Sequence, residues 1–452
     1  MKNNTPKSQD NFINWFRQST PYINAFRNKT FVISFGGELL TDTQFTPLVH
    51  DIMLLHSLGV KLVLVHGARP QIERHLKKLN GEIKVVNGLR VTNDLALECV
   101  IDAASRVRVE IEALLSMGLA NTLTAGNTVH INSGNFITAK PLGVINGIDY
   151  QHTGEVRKIA ADTINTILNL NNLVLIPPLG YSPTGEVFNL NARDLAADIA
   201  SEIKADKLIY LTNDKGIVDG RNKLIKELTA NDAQSLVDSI TAQNANKKTK
   251  MSDSTIRCIQ NAITAVNNNV PRCHLIDRHI DGGLLTELFT RDGCGSLISA
   301  NSFESIRQAT VDDIASLIEL IQPLEQQGLL VKRSRENLEM DISSFTVIER
   351  DGMIIACAAL FPFIKEKTGE LACFAVHPDY QNKGRGEILF KAIQQHAKQL
   401  GLMSLFVLTT RTSQWFKERG FKAKDIKTLP VKRRLLYNYQ RSSKMFVKND
   451  IG

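Results

Sequence analysis

The sequence has no apolar run approaching the roughly 18 to 20 residues that cross a bilayer. Its first residues, MKNNTPKSQDNFINWF, lack the apolar core of a secretory signal. No membrane association is therefore expected, and the cytoplasm is the default compartment. The six cysteines, Cys99, Cys258, Cys273, Cys294, Cys357 and Cys373, stand singly, without a CxxC pair or a His/Cys spacing suited to zinc. Reduced, mostly buried thiols are expected, and no metal. Clustered positive charge is also scarce. Despite a formal net charge of +8, only Lys422 to Arg434, KAKDIKTLPVKRR, is dense in basic residues. That run has few interleaved aromatics, so it reads as a solvated face or a surface for small anions, and nucleic acid is not an expected partner.

What is present fits a globular enzyme or binding protein. A chain of 452 residues with 43% hydrophobic content can bury two or three separate cores. Residues 1–30 contain NFINWFRQSTPYINAF, an apolar stripe interrupted by Pro21. It reads as a short amphipathic helix pair, an arm that docks on its own domain or on a neighbouring subunit. From Phe31 onward, short apolar strands (FVISF, KLVLVH, NLVLIPPLG, KLIYLT, RCHLID) alternate with helical stretches such as ARDLAADIASEI and DSTIRCIQNAITAV. This pattern predicts an α/β domain with a mostly parallel sheet sandwiched by helices, over residues 31–298. The character changes after DGCGSLIS. Residues 304–452 open with a helical stretch and then the strands SFTVIER and MIIACAALFPF, joined at Asp351-Gly352, a hairpin signal.

The segment GELACFAVHPDYQNKGRGEILFKAI, Gly369 to Ile393, reads as a strand, a basic glycine loop and an amphipathic helix. In QNKGRGE two glycines let backbone approach a ligand, and the helix start presents open N–H groups under a positive dipole. That arrangement suits a pyrophosphate, with Lys383 and Arg385 adding charge. Together with AVHPDYQ before it and WFKERGF after it, the segment resembles the GCN5-related N-acetyltransferase family. The resemblance implies an α/β acetyltransferase domain whose co-substrate is acetyl-coenzyme A. Its contacts would be Phe374, Ala375, Val376, Gln381, Lys383, Gly384, Arg385 and Gly386. The pantetheine arm would line the CFAV edge as an added strand.

Direct transfer needs a free amine, a route for its proton and donors for the tetrahedral oxyanion. On neighbouring strands of the implied fold, Glu370 and Thr409 are the candidates for base and proton relay, with His377 a competing base.

LVHGARPQIE, NGLRVTN, NLNARDLAADIA and YLTNDKGIVD occur in that order and resemble the amino-acid kinase family, acetylglutamate kinases above all. In the active kinases a lysine stands just before the double glycine and steadies the transferring phosphoryl group. Here Ser34 holds that position ahead of Phe35-Gly36-Gly37. Where the kinases carry GGMxxK, this chain has KTKMSDSTIRC. The resemblance therefore implies a domain that keeps the kinase fold without the reaction and serves regulation.

A kinase-like domain followed by an acetyltransferase domain is similar to the bacterial N-acetylglutamate synthase family, over nearly the whole chain. That family makes N-acetyl-L-glutamate from acetyl-coenzyme A and L-glutamate, the first step of arginine synthesis, and responds to L-arginine. The resemblance implies that Arg333 and Arg441 hold the two carboxylates of glutamate, with Arg411 in reserve, and that the Cys373 backbone orients the amine. It also implies an arginine site at Tyr22, His274, Glu287 and Gly293, and a homo-oligomer, a hexamer by family tendency. The competing expectations are a phosphotransferase acting on N-acetylglutamate, a non-catalytic arginine sensor, and acetylation of a protein or another small amine.

Overall fold

The computed structural model describes residues 7–41, 45–86, 88–117, 129–243, 251–300, 304–350, 353–381, 384–438 and 442–449. The chain forms two compact units, Met1–Asn301 and Ser302–Gly452. Among the described residues no helix is long and apolar enough to cross a membrane.

The first unit opens with α1, Lys7–Phe26. This is one helix rather than the expected pair: it runs through Pro21. The reason lies in the turn after the proline. Phe26 is buried and stacks edge-on against Phe31 and Phe289, at 5.3 and 5.6 Å between ring centroids. That packing holds the last turn in line despite the missing N–H. Ile13, Trp15 and Phe16, further up the helix, are exposed.

Next come β1 (Thr30–Phe35), α2 (Phe45–Ser57), β2 (Lys61–His66), α3 (Arg69–Lys78), α4 (Asp94–Ser116), β3 (Ile131–Asn132) and β4 (Leu173–Ile176). They are followed by α5 (Ala192–Glu202), β5 (Lys207–Thr212), β6 (Glu227–Thr229), α6 (Asp253–Asn267), β7 (Arg272–Asp277), α7 (Gly283–Phe289) and β8 (Ser296–Ser299). The eight strands form one sheet in the order β6-β8-β7-β5-β1-β2-β4-β3. All neighbours are parallel except β7 and β8. The expected helix-covered parallel sheet is thus present. Alternation sets its two faces: Val32, Val63 and Val174 pack in one core with α5 and α6, while Phe31, Ile33, Leu62 and Leu64 pack in the other with α2, α4 and α7.

The second unit contains β9 (Glu304–Gln308), α8 (Ile314–Gln326), α9 (Arg335–Asp341), β10 (Phe345–Arg350), β11 (Met353–Phe363) and β12 (Thr368–Val376). After these come α10 (Arg385–Gln399), β13 (Ser404–Thr409), β14 (Lys422–Lys424), α11 (Val431–Leu435) and β15 (Lys444–Asn449). The seven-stranded sheet has the order β9-β10-β11-β12-β13-β15-β14, and only β12 and β13 are parallel neighbours. The expected hairpin joins β10 to β11, although its turn, Asp351-Gly352, lies outside the described residues.

Candidate functional site

The parallel pair at the centre of the second sheet comes apart. Thr368 pairs with Ser404, Gly369 with Leu405 and Glu370 with Phe406, and the ladder ends there, although β12 continues to Val376 and β13 to Thr409. The cause is a bulge opposite, in the ladder to β11. Cys357 pairs with Ala375 but Ala359 with Ala372, so two residues of β12 face one of β11. The bulged residue, Cys373, is buried in the left-handed region at φ 50°. A bulge increases local twist and bends its strand, and here it turns the β12 edge away from β13. The wedge exposes backbone of the CFAV stretch to a strand-like ligand. One group is already taken: the Val376 carbonyl accepts a hydrogen bond from Gln381 Nε2 at 3.0 Å.

Gly384, at φ 82°, stands immediately before α10 and provides no side-chain cap; the Glu387 N–H turns back to the Gly384 carbonyl at 3.0 Å, which leaves the N–H groups of Arg385 and Gly386 for a ligand. Gly386 faces a wall formed by Trp415 and Phe374, whose rings lie 5.0 Å apart, and a Cβ at 386 would come within 3.3 Å of Trp415. Asn382 and Lys383 lie outside the described residues. Arg385 is described, and its guanidinium is committed to Glu304, with Nη2 at 2.5 Å from Oε1.

Glu370 and Thr409 are on adjacent strands, as expected, but they bond different partners. Glu370 is in register with Phe406, and both its oxygens are held by Arg433 of α11, at 2.5 and 3.0 Å. The Thr409 hydroxyl shares a 2.7 Å bond with that of Thr412. His377 caps the turn after β12, its Nδ1 accepting from the Asp379 N–H.

Arg333 lies between the rings of Phe345 and Phe361, 5.9 and 5.4 Å from its guanidinium carbon. Its Nη1 is 3.5 Å from Asp341, and its buried Nε has no partner among the described residues. Burial raises the Cys373 thiol pKa, and the Arg333 charge opposes that rise. Arg333 and the bulge at Cys373 therefore sit within mutual influence, leaving a guanidinium nitrogen in need of an acceptor. Arg441 lies outside the described residues, and Arg411 is exposed.

In the first unit, His274 of β7 donates from Nδ1 to Glu287 Oε1 of α7 at 2.8 Å. Glu287 Oε2 accepts from the backbone of Cys294 and Gly295, both at 2.7 Å. Burial raises the Glu287 pKa, but the His274 bond and charge and the two backbone bonds outweigh it, to about 2. Burial, with the Lys207 charge next, lowers the pKa of His274. A neutral ring follows, its Nε2 facing Lys207 Nζ at 3.4 Å. Gly293 is left-handed at φ 55°, and a Cβ there would overlap the Glu287 carboxylate. Three of the roughly four acceptor positions of Glu287 are thus filled by the chain itself. The arm reaches this region: Ser19 Oγ donates to the Phe289 carbonyl at 3.2 Å, and the half-buried Tyr22 lies 6.1 Å from Phe26.

Residues 29–277 match the Amino acid kinase family, and residues 314–421 the Acetyltransferase (GNAT) family. An amino-acid acetyltransferase of Azotobacter vinelandii is 48% identical over 97% of this chain and 99% of its own length. One from Pseudomonas syringae is 46% identical over the same shares. The chain belongs to the amino-acid acetyltransferase family. It is also similar to N-acetylglutamate synthase of Neisseria gonorrhoeae solved with coenzyme A and L-arginine, at 38% identity and a TM-score of 0.87, covering 97% of this chain and 99% of that one. The same protein solved with coenzyme A and N-acetyl-glutamate gives 39% identity and a TM-score of 0.61 over the same shares.

In its kinase-like unit this acetyltransferase keeps a cleft of about 410 Å³ at the carboxyl ends of the strands, lined by Ser34, Gly36, Gly37, Glu38 and Arg90. The Glu38 carboxylate folds over Gly36, where a Cβ would overlap it. The glycine turn that would meet a phosphate thus faces a negative charge. Among the described residues no cluster of three or more His, Cys, Asp or Glu could hold a metal ion. Three features escaped sequence reasoning. Arg433 lies in the basic run read as a solvated face, Glu304 carries no motif, and nothing marks a cysteine as left-handed.

Proposed function

We propose that the chain transfers the acetyl group of acetyl-coenzyme A to the amine of L-glutamate, giving N-acetyl-L-glutamate and coenzyme A. The observation that carries this is the wedge between β12 and β13, which combines an open strand edge with an uncapped helix start whose Arg385 and Gly386 N–H groups can meet an anion. The pantetheine arm lines the CFAV edge and the pyrophosphate sits on α10, at Gly384 to Gly386. The thioester carbonyl then lies near the bulge, within reach of the Phe374, Ala375 and Val376 N–H groups. The glutamate amine attacks that carbon, a C–N bond forms and the C–S bond breaks. Glu370 takes the amine proton through water, and Thr409 returns a proton to the leaving sulfur. Arg333, with its unpartnered Nε, binds one carboxylate of glutamate and Arg441 the other, while the Cys373 backbone orients the amine.

The first unit serves regulation, with arginine bound near His274, Glu287, Gly293 and Tyr22. Ser34 stands where the active kinases carry the lysine that steadies the phosphoryl group, and the Glu38 carboxylate covers the glycine turn. The exposed apolar residues of α1 support assembly into a homo-oligomer, with a hexamer as the expected size. The expected compartment is the cytoplasm. A coenzyme A release assay with an amino-acid panel, run with and without arginine, tests the proposal. Glutamate-dependent release that arginine alters is the expected result, and release with no amino acid would overturn it. Formation of ADP from ATP with N-acetylglutamate would favour a kinase instead.

A further inference from the structure

The first residue of α10 is fastened to the first strand of its own unit. Glu304 opens β9, and Arg385 is the first residue of α10. Arg385 Nε lies 2.9 Å from Glu304 Oε1 and 3.2 Å from Oε2, and Nη2 lies 2.5 Å from Oε1. Arg350, the register partner of Glu304 on β10, donates to the same Oε1 at 3.2 Å. The three side chains are only 12 to 16% exposed. Both guanidiniums also lie over the ring of Tyr380, which is almost fully buried, at 5.2 and 5.7 Å.

We propose that Glu304 is the positioning residue of the acetyl-coenzyme A site: through Arg385 it fixes the direction in which the first-turn N–H groups of α10 meet the pyrophosphate. This rests on the reading of QNKGRGE as the pyrophosphate cradle. Gly384 supplies conformational freedom but no side-chain cap, so the helix start has no anchor at the N-cap itself. A forked, charge-assisted pair at the next residue supplies one, and a fork fixes orientation where a point charge does not. A lone carboxylate beside a helix N-terminus would compete with an anionic ligand for the same field. Here two guanidiniums face one carboxylate, so the cluster anchors the turn without leaving a lone carboxylate beside it. Without Glu304, two like charges would lie beside the Tyr380 ring with their shared carboxylate gone, and their repulsion would push the first turn out of place.

The alternative is that Glu304 withholds Arg385 from the phosphates. The two accounts differ in sign. Coenzyme A binding by calorimetry and steady-state kinetics are compared for the full chain and for Glu304→Gln, Arg385→Lys, the double variant and Gly384→Val. Positioning predicts that Glu304→Gln weakens coenzyme A binding and raises the KM for acetyl-coenzyme A at least about tenfold, the scale on which loss of a partner behind a first ligand is felt. The KM for glutamate and kcat at saturating acetyl-coenzyme A stay unchanged. Arg385→Lys, which keeps the charge and loses the fork, shows the same loss, and the double variant is no worse. Unchanged or tighter binding in Glu304→Gln overturns positioning. If Gly384→Val binds coenzyme A normally, the cradle itself is misassigned and the proposal falls with it. If Gly384→Val loses binding while Glu304→Gln keeps it, only the role of Glu304 is wrong.

Discussion

Both carboxylate oxygens of Glu370 are held by the guanidinium of Arg433, Nε at 2.5 Å from Oε2 and Nη2 at 3.0 Å from Oε1. The Glu370 side chain is only 9% exposed, so its charge has little water as a substitute for Arg433. Removing one partner of such a pair typically costs about 3 to 5 kcal/mol, because the other is left uncompensated. Since Arg433 is 22% exposed, the lower end applies. Arg433→Gln is expected to destabilise the second unit by about 3 kcal/mol in denaturant melts, with part of that recovered in Glu370→Gln/Arg433→Gln. Glu370→Gln alone should lower kcat about 100-fold or more while leaving coenzyme A affinity unchanged. A kcat within twofold of the parent would remove Glu370 from the proton route.

Arg333 presents a buried Nε with no partner among the described residues, beside the left-handed Cys373. A carboxylate fits that vacancy, and a lysine cannot reproduce it. Arg333→Lys is therefore expected to raise the KM for glutamate about tenfold or more, with the KM for acetyl-coenzyme A unmoved. Equal changes in both constants would point to general damage.

Glu287 carries its charge at a cost that its bonds repay, and acid should reveal it. Its pKa of about 2 is depressed from the ordinary 4.5, so its stabilisation is complete above about pH 4.5 and is lost as pH falls towards 2. His274, held neutral, adds a loss in the same direction as pH drops through the ordinary histidine range. Glu287→Gln should lower the thermal midpoint at neutral pH, and the gap from the parent should shrink as the pH approaches 3. The same variant is expected to weaken arginine binding by calorimetry at least about tenfold while retaining coenzyme A binding. Undiminished arginine binding would move the effector elsewhere.

Ser34→Lys should not restore phosphoryl transfer. The new ammonium would enter a cleft in which Glu38 already covers the glycine turn, and it would meet that carboxylate before any phosphate. ADP release by Ser34→Lys with N-acetylglutamate present would show that the lysine was the sole missing element.

The first sheet was legible because buried parallel strands write themselves as short runs such as KLVLVH and KLIYLT, and the second unit because its glycine loop lies between a strand and a helix. Less visible were features whose cause lies far off in sequence. Pro21 suggested a break, but α1 continues through it to Phe26, whose ring packs on Phe289. Cys373 adopts a conformation that its own side chain disfavours, imposed by register with β11. The basic run around Arg433 gave charge without direction. Only the fold reveals that one of those arginines turns inward to Glu370 while its neighbours do not.

Ser19 of α1 bonds to a carbonyl 270 residues further along the chain. A nascent chain grows at roughly 5 to 20 residues per second, so this contact cannot form until about 14 to 54 s after Ser19 is made. For nearly all of that interval Phe26 can meet β1 but has no α7 to pack against. The helix that comes first is thus among the last to find its place in the first unit. Its exposed Trp15 and Phe16 make a newly made arm a natural substrate for chaperones, and slowing elongation late in the first unit should prolong that dependence.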